Sequence, residues 1–426
     1  MKVAPARKAA FDVLQKVQTT EEHSSSLLAE HEARLDERDA ALCHEIVLGV
    51  LRRQMLLDRQ IDILAGGKKL DDEVRIALRM GLYQLGYLDR VPTHAVVNDS
   101  VSLVQMAKKR SASGFVNAIL RRASNTDLKI EYSDELDRLS VETSHPLWLL
   151  ERWARQFGED EIVALALANN EPAPLSFRLL VPVGEIPAEI RAAWTESADV
   201  PGCYKSDGPG RELIDLEKAG KIYFQEEGSQ LVASAVGVPH GGLFLDVCAA
   251  PGGKTGLIAS RSDSYTVAGD ISKSRIGFLR ENLLPQGVSA DVVQFDAERA
   301  LPFADGSFDS ILVDAPCTGT GTIRSNPEVR YRVLGDDTER LSRKQLAILK
   351  NASKLLKKGG LVVYSTCSLE REENEAVIDA FLSEHRNFSL ARPNVPEKFL
   401  TDAGFARTWP YRDGMDGFFI ATLRRI

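Results

Sequence analysis

The chain has 426 residues, too many for one ordinary domain, so two or three are expected. Hydrophobic residues make up 44%, ample for packed cores, and no apolar run approaches the roughly 18 residues of a membrane span. The net charge of −8 argues against a nucleic-acid partner only weakly, because net charge is a poor proxy for a local patch.

The five cysteines (Cys43, Cys203, Cys248, Cys317 and Cys367) are few, odd in number and scattered. That usage fits a reducing compartment, with no disulfide framework and no pair at zinc-ligand spacing. The start, Met1 to Arg7, lacks a signal-peptide apolar region. A soluble cytoplasmic monomer that binds no metal is expected.

In chain order, residues up to about Asn125 read as all-helical. Ala6, Ala9, Ala10, Val13, Leu14 and Val17 mark one stripe. A long second one runs from Ile46 through Leu51, Leu57 and Ile61 to Leu64, closed by Gly66-Gly67. A third spans Asp71 to Leu88, and a fourth starts after Pro92 with Val96, Val97, Val101 and Val104 inward. Beyond a polar stretch at Ser124–Asp127, a helix opens at Ser144–Leu150. Prolines 172, 174, 182 and 187 then punctuate a mixed segment.

From Gly241 the pattern alternates strand and helix. Strands are expected at Leu243–Val247, Thr266–Gly269, Asp291–Gln294, Ser310–Val313, Leu361–Tyr364 and Phe418–Leu423, with helices at Lys273–Leu284, Thr338–Lys357 and Glu370–Leu382. This is a doubly wound α/β sheet, with its ligand at the carboxyl ends of the strands. Basic residues cluster at Lys108–Arg110, Arg121 and Arg122, at Arg324, Arg330 and Arg332, and at Arg340, Arg343 and Lys344. Taken singly, such clusters read as solvated helix faces.

Asp246 ends the first of these strands, and Ala249-Ala250-Pro251-Gly252-Gly253 makes a turn whose small residues let backbone approach a ligand. A helix beginning near Lys254 presents N–H groups to an anion. The Gly-x-Gly-x-x-Gly spacing of a dinucleotide site is missing, so a smaller anion such as an amino-acid carboxylate fits better. Asp270, about 20 residues on, sits where an acid pairs with ribose hydroxyls, and Asp296 is placed to accept from an adenine amino group. Each is ordinary α/β punctuation alone, but Asp246, Asp270, Asp296 and Asp314 form an ordered series at successive strand ends. Together they suit S-adenosylmethionine.

Cys317, in Asp314-Ala-Pro-Cys-Thr-Gly319, and Cys367, in Tyr364-Ser-Thr-Cys-Ser368, each follow a buried-strand pattern in a polar, Gly/Ser/Thr-rich loop. A cysteine nucleophile splits a hard step into two easier ones. Cytosine C5 takes no methyl group from a sulfonium until a thiolate adds at C6. That chemistry needs a nucleophile, an acid near the N3/N4 edge, and a group to remove the C5 proton. Cys367, Asp314 and Cys317 are candidates for those roles, though strand-end position alone leaves the two cysteines interchangeable. Cys43 and Cys203 read as small buried hydrophobes. For Cys248 that reading competes with a backbone role in the turn.

These motifs carry a resemblance. Asp246-Val-Cys-Ala-Ala-Pro-Gly-Gly-Lys-Thr255, Asp314–Gly319, Tyr364–Ser368 with Glu372-Glu-Asn-Glu375, and Asp416-Gly-Phe-Phe-Ile-Ala421 resemble the RNA cytosine-C5 methyltransferases of the Sun/Nop type. Glu37-Arg-Asp39, Gly49–Arg52, Gly81–Gln84, Val91–Asn98 and Gly114–Arg121 resemble the helical NusB domain. The combination is similar to the bacterial RsmB (Sun/Fmu) family, which modifies 16S ribosomal RNA. The resemblance implies a Rossmann-like S-adenosylmethionine-dependent α/β methyltransferase domain preceded by an all-α NusB-like domain. Residues 1–139 would be the RNA-docking helical domain, 140–236 a mixed RNA-recognition region, and 237–426 the catalytic domain.

It also implies that Cys367 is the nucleophile, that Cys317 assists release, and that Asp314 and Lys254 complete the catalytic set. Cys248, Ala249, Ala250, Pro251, Gly252, Gly253, Lys254, Asp270, Asp296 and Asp314 would contact the cofactor or its surroundings. After Cys317 the family often carries Arg-Arg-His-Pro and then an aromatic. Here Ile323-Arg-Ser-Asn-Pro327 leads to Tyr331, so RNA contacts at this loop are expected to differ, with the polar substitutes left to bind phosphate. The rival readings are the same chemistry on transfer RNA and a non-catalytic RNA-binding assembly factor.

Overall fold

The computed structural model describes residues 3–206, 208 and 210–426. Met1 and Lys2, with which the expected helical domain begins, and Asp207 and Pro209 of the expected middle region lie outside the described residues. The chain forms two compact units, Met1–Glu171 with Asn326–Arg332, and Pro172–Ser325 with Val333–Ile426. No helix among the described residues is long and apolar enough to cross a membrane.

The first unit is helical: α1 (Pro5–Thr19), α2 (Ser24–Glu32), α3 (Glu37–Arg52), α4 (Gln54–Ala65), α5 (Asp72–Tyr87), α6 (Thr93–Met106), α7 (Ser113–Ala123), α8 (Glu135–Thr143), α9 (Leu147–Phe157) and α10 (Glu159–Ala168). The α1 stripe from Ala6 to Val17 is buried in one apolar core with Ile46, Val50, Leu57, Ile61 and Leu120. The long stripe expected from Ile46 to Leu64 is two helices. The chain breaks at Arg53 (φ −119°, ψ 18°), which turns α4 so that its own apolar face meets the same core. The sequence reading also missed α2 and α8.

The segment Asn326–Arg332 joins this unit through buried polar bonds. Arg330, 0% exposed, donates to the carbonyl oxygens of Thr143, Asn169 and Pro327 and to Asn170 Oδ1. Arg332 donates to the carbonyls of Val17, Thr20, Glu21 and Glu22. Glu328 accepts from the Ser24 amide and hydroxyl at 2.9 and 2.8 Å, and the Tyr331 hydroxyl donates to the Leu51 carbonyl at 2.8 Å. The expectation that this loop's cations lie on solvated faces is overturned for Arg330 and corrected for Arg332. The Arg330 donors are spent on buried acceptors that would otherwise go unpaired, and those of Arg332 on carbonyls at the end of α1 and just after it.

The second unit holds two sheets. β1 (Leu175–Leu179), β2 (Thr195–Glu196), β3 (Cys203–Ser206) and β4 (Ile222–Phe224) pair antiparallel in the order β2-β3-β1-β4. The main sheet contains β5 (Leu243–Asp246), β6 (Tyr265–Asp270), β7 (Asp291–Gln294), β8 (Phe308–Asp314), β9 (Leu356–Thr366), β10 (Phe388–Ala391), β11 (Ala406–Arg407) and β12 (Phe419–Arg425). Its order is β10-β12-β9-β8-β5-β6-β7, with β11 on β12; β7 through β9 run parallel and β12 antiparallel to β9. The near-continuous apolar runs of β5 and β8 follow from burial on both faces. Strand order reverses at β5 and β8, which opens a crevice at their carboxyl ends. The helix expected from Glu370 begins instead at Glu375: Glu373 and Asn374 (φ −113°, ψ −102°) turn their side chains back into the loop after β9.

Candidate active site

The turn after β5 is held by backbone. The Val247 amide donates to Leu312 at 3.0 Å and the Ala249 amide to Gly269 at 2.8 Å, so the neighbouring strands fix its exit. Gly252 has φ +110°, a conformation that favours glycine, and a Cβ there would meet Leu279 Cδ1 at 2.8 Å. Gly252 thus shapes the turn and lines neither of the two cavities beside it. Asn282 Nδ2 and an Arg275 guanidinium nitrogen tie down the Pro251 and Ala250 carbonyls at 3.0 and 2.8 Å.

One cavity, about 230 Å³, is lined by Val247, Cys248, Ala250, Asp270, Ile271, Arg275, Phe295, Asp296, Asp314, Pro316 and Ile348 among others. The second, about 220 Å³, is lined by Tyr223, Gln225, Glu226, Asp246, Cys248, Ala249, Ala250, Pro251, Gly253, Lys254 and Asp314 among others. They share Cys248, Ala250 and Asp314. Asp270, 3% exposed, accepts from the Ser272 amide at 3.0 Å and pairs with Arg275 at 3.5 Å, leaving lone pairs over for hydroxyls. Apolar walls at Ile271, Phe295, Pro316 and Ile348 with two acids at the rim fit a nucleoside, and helix N–H groups behind the turn fit a carboxylate. The donor set therefore fits S-adenosylmethionine.

Asp314 ends β8 with both oxygens accepting, from Lys254 Nζ at 2.8 Å and the Ser365 hydroxyl at 2.7 Å. Burial lowers the Lys254 pKa, but Asp314 and Cys367 outweigh it and hold the ammonium form. Lys254 also lies over the Phe418 ring, 5.2 Å from its centroid. Burial lifts Asp246 to about 7; the Thr255 hydroxyl bond at 2.7 Å opposes the rise and Asp314 adds to it. The Cys248 thiol is pushed up, first by burial and then by Asp246, Asp314 and Asp270. Cys43 and Cys203 are buried in other cores and pushed up to about 12, mainly by burial.

Cys317 and Cys367 meet. Their sulfurs lie 3.3 Å apart, on loops that follow the adjacent parallel strands β8 and β9. Neither sulfur lines the two cavities, but Pro316 and Asp314 do. The Cys317 thiol is pushed well up, first by its hydrogen bond with Cys367, then by burial and by negative charge at Cys367 and Glu373. Gly321 locks the loops together: its amide donates to the Cys367 carbonyl at 2.9 Å, its carbonyl accepts from Gly417 at 2.8 Å, and a Cβ there would run into the Gly417 carbonyl.

Residues 237–424 match the model of the 16S rRNA methyltransferase RsmB/F family, and residues 4–125 that of the NusB family. The probable ribosomal RNA small subunit methyltransferase B of Bacillus subtilis is 32% identical, with all of each chain covered. The chain belongs to the RsmB family of ribosomal RNA methyltransferases. The ribosomal RNA small subunit methyltransferase B of Thermus thermophilus is 34% identical over 92% of this chain and 90% of its own. The crystal structure of PH0851 superposes with a TM-score of 0.87 at 26% identity, covering each chain fully. Membership makes this chain an S-adenosylmethionine-dependent RNA methyltransferase.

Sequence reasoning missed Arg275, Glu373 and the middle-region wall of Tyr223, Gln225 and Glu226. For Arg275 the available signal was a cation one turn into the helix after Asp270. The wall had none, since short strands among prolines give little periodicity.

Proposed function

We propose that the chain methylates C5 of a cytosine in 16S ribosomal RNA through a covalent adduct between Cys367 and C6 of the base. The 3.3 Å approach of Cys317 and Cys367 carries this reading, because the chemistry needs two thiols with distinct jobs at one base. The turn, Asp270, Asp296 and the apolar walls would hold S-adenosylmethionine, which would supply to C5 a methyl group from its sulfonium. Cys367 adds to C6. Lys254, held by Asp314, sets a positive charge beside the ring as it gains electron density, and Asp314 accepts from the exocyclic amine. Cys317 takes the C5 proton, the Cys367–C6 bond breaks, and the aromatic ring returns. The target cytosine lies in a loop or is extruded, since C6 is shielded within a stack.

The test is a denaturing gel of protein incubated with labelled RNA and cofactor. Cys317→Ala accumulates a protein–RNA band that survives denaturation, and Cys367→Ala gives none. A band persisting in Cys367→Ala reverses the two roles. Bisulfite sequencing of ribosomal and transfer RNA from a deletion strain checks the substrate: a signal lost only from transfer RNA sinks the 16S assignment.

A further inference from the structure

Glu373 is 0% exposed, in the turn between β9 and the helix Glu375–Glu384. A buried carboxylate is costly unless fully bonded, so its partners define its task. Oε1 accepts from the Thr318 amide at 3.0 Å and from Gln345 Nε2 at 2.9 Å. Oε2 accepts from the hydroxyls of Thr318 and Ser368. Burial pushes the Glu373 carboxyl up, and the bonds from Ser368, Thr318 and Gln345 oppose that rise and favour its charged form. Thr318 directly follows Cys317, and Ser368 directly follows Cys367. Asn374 completes the ring: its Nδ2 donates to the Ser368 carbonyl at 2.8 Å and its Oδ1 accepts from Thr366.

We propose that Glu373 is a positioning residue for methyl transfer: its one carboxylate clamps the residues after both cysteines, fixes the two sulfurs against each other, and sets a negative charge beside Cys317. The role rests on the cysteine chemistry proposed above. It adds a physical cause for the division of labour that family resemblance only implies. A thiolate at Cys367 faces the Lys254 ammonium, whereas a thiolate at Cys317 faces Glu373. Among the described residues, the titratable groups facing the pair are Glu373 and Tyr364 at Cys317 and Lys254 at Cys367, with Asp314 behind Lys254. Cys317 therefore keeps its proton while Cys367 attacks. Once Cys367 is bonded to the base its charge is spent, the Cys317 proton passes to bulk water, and the thiolate left beside Glu373 is the stronger base.

The experiment is pH-dependent labelling of the full chain by iodoacetamide, mapped by peptide mass spectrometry, alongside kcat and KM for RNA. In the wild type Cys367 labels and Cys317 does not. Glu373→Gln removes the charge and keeps one acceptor. It raises Cys317 labelling about tenfold at neutral pH, the effect of roughly one pKa unit, and lowers kcat with KM little changed. Buried Cys43 and Cys203 report loosening of the fold. If they label along with Cys317, the role is structural and the proposal fails. It also fails if Cys317 labelling and kcat are both unchanged.

Thr318→Val loses the hydroxyl's bonds to Glu373 and Ser368 with no change of charge. It lowers kcat and leaves Cys317 labelling as in the wild type; an unaltered kcat overturns the clamp even where Glu373→Gln does not fold. Labelling needs no RNA, so a wild type that transfers no methyl group refutes the cytosine reading separately from the labelling result.

Discussion

Two connections leave neighbouring strands of one sheet and are built on opposite principles. The one after β5 runs from Val247 to Gly252, enters a helix at Gly253, and is held through its backbone: its amides bond β6 and β8, and its carbonyls are tied by Arg275 and Asn282. The one after β8 runs from Ala315 to the helix Asp337–Lys354 and is held largely by polar side chains whose partners lie far away in sequence, beside the Gly321 backbone bonds to Cys367 and Gly417. Thr318 reaches Glu373, Ser325 reaches Asp416, and Arg330 reaches Thr143. The first works by shape and tolerates any small residue that fits. The second works by pairing, so one truncation leaves several buried groups without partners.

Four substitutions test that contrast. The largest effect is electrostatic, at the base of the short turn. Burial lifts Asp246 above its unfolded value of 3.8 to about 7, so the fold favours its protonated form. Its stabilising contribution is complete below the unfolded value and is lost as pH rises through about 7. Asp246→Asn removes that slope, and the gap between variant and wild type in urea denaturation opens by at most about 4 kcal/mol over that interval. Parallel curves would show that Asp246 ionises freely.

Arg330→Ala is next. It strips the donor from three backbone carbonyls and Asn170, and is expected to destabilise the helical unit by about 3 kcal/mol in thermal melts. A change within about 0.5 kcal/mol, typical of a surface site, would place Arg330 outside the core.

Gly321→Ala forces the Gly417 carbonyl away and parts the cysteine loops. A misplacement of about 1 Å costs roughly a hundredfold in kcat, with cofactor affinity by calorimetry unchanged. Gly252→Ala has the smallest effect, about 1–2 kcal/mol of strain at φ +110°, and weakens cofactor binding more than RNA binding. Equal weakening of both would mean that the turn serves the two ligands alike.

The same contrast explains what the sequence revealed. Stripes such as Ala6 to Val17 and the parallel strands were legible because burial imposes a period or an apolar run. The turn was legible because small residues in a row have few other uses. Asp270 and Asp314 were found from their places at strand ends. Glu373 was quoted within a motif yet given no role, because its partners Thr318 and Gln345 are 55 and 28 residues away. The break at Arg53 was invisible, since the apolar stripe continues across it. Arg330 looked like one more exposed cation, and only the carbonyls around it reveal its place.

The capture of Asn326–Arg332 by the helical unit makes the chain's two parts inseparable by a single cut. A gene fragment ending at Glu171 encodes a bundle lacking the peptide that neutralises its inner carbonyls. A fragment starting at Pro172 carries that peptide with nothing to receive it. Any recombination that exchanged the helical half for a relative's would have to bring this heptapeptide along, from the far side of the cysteine loop. The helical half and the reactive loop are thus bound to be inherited as one cassette.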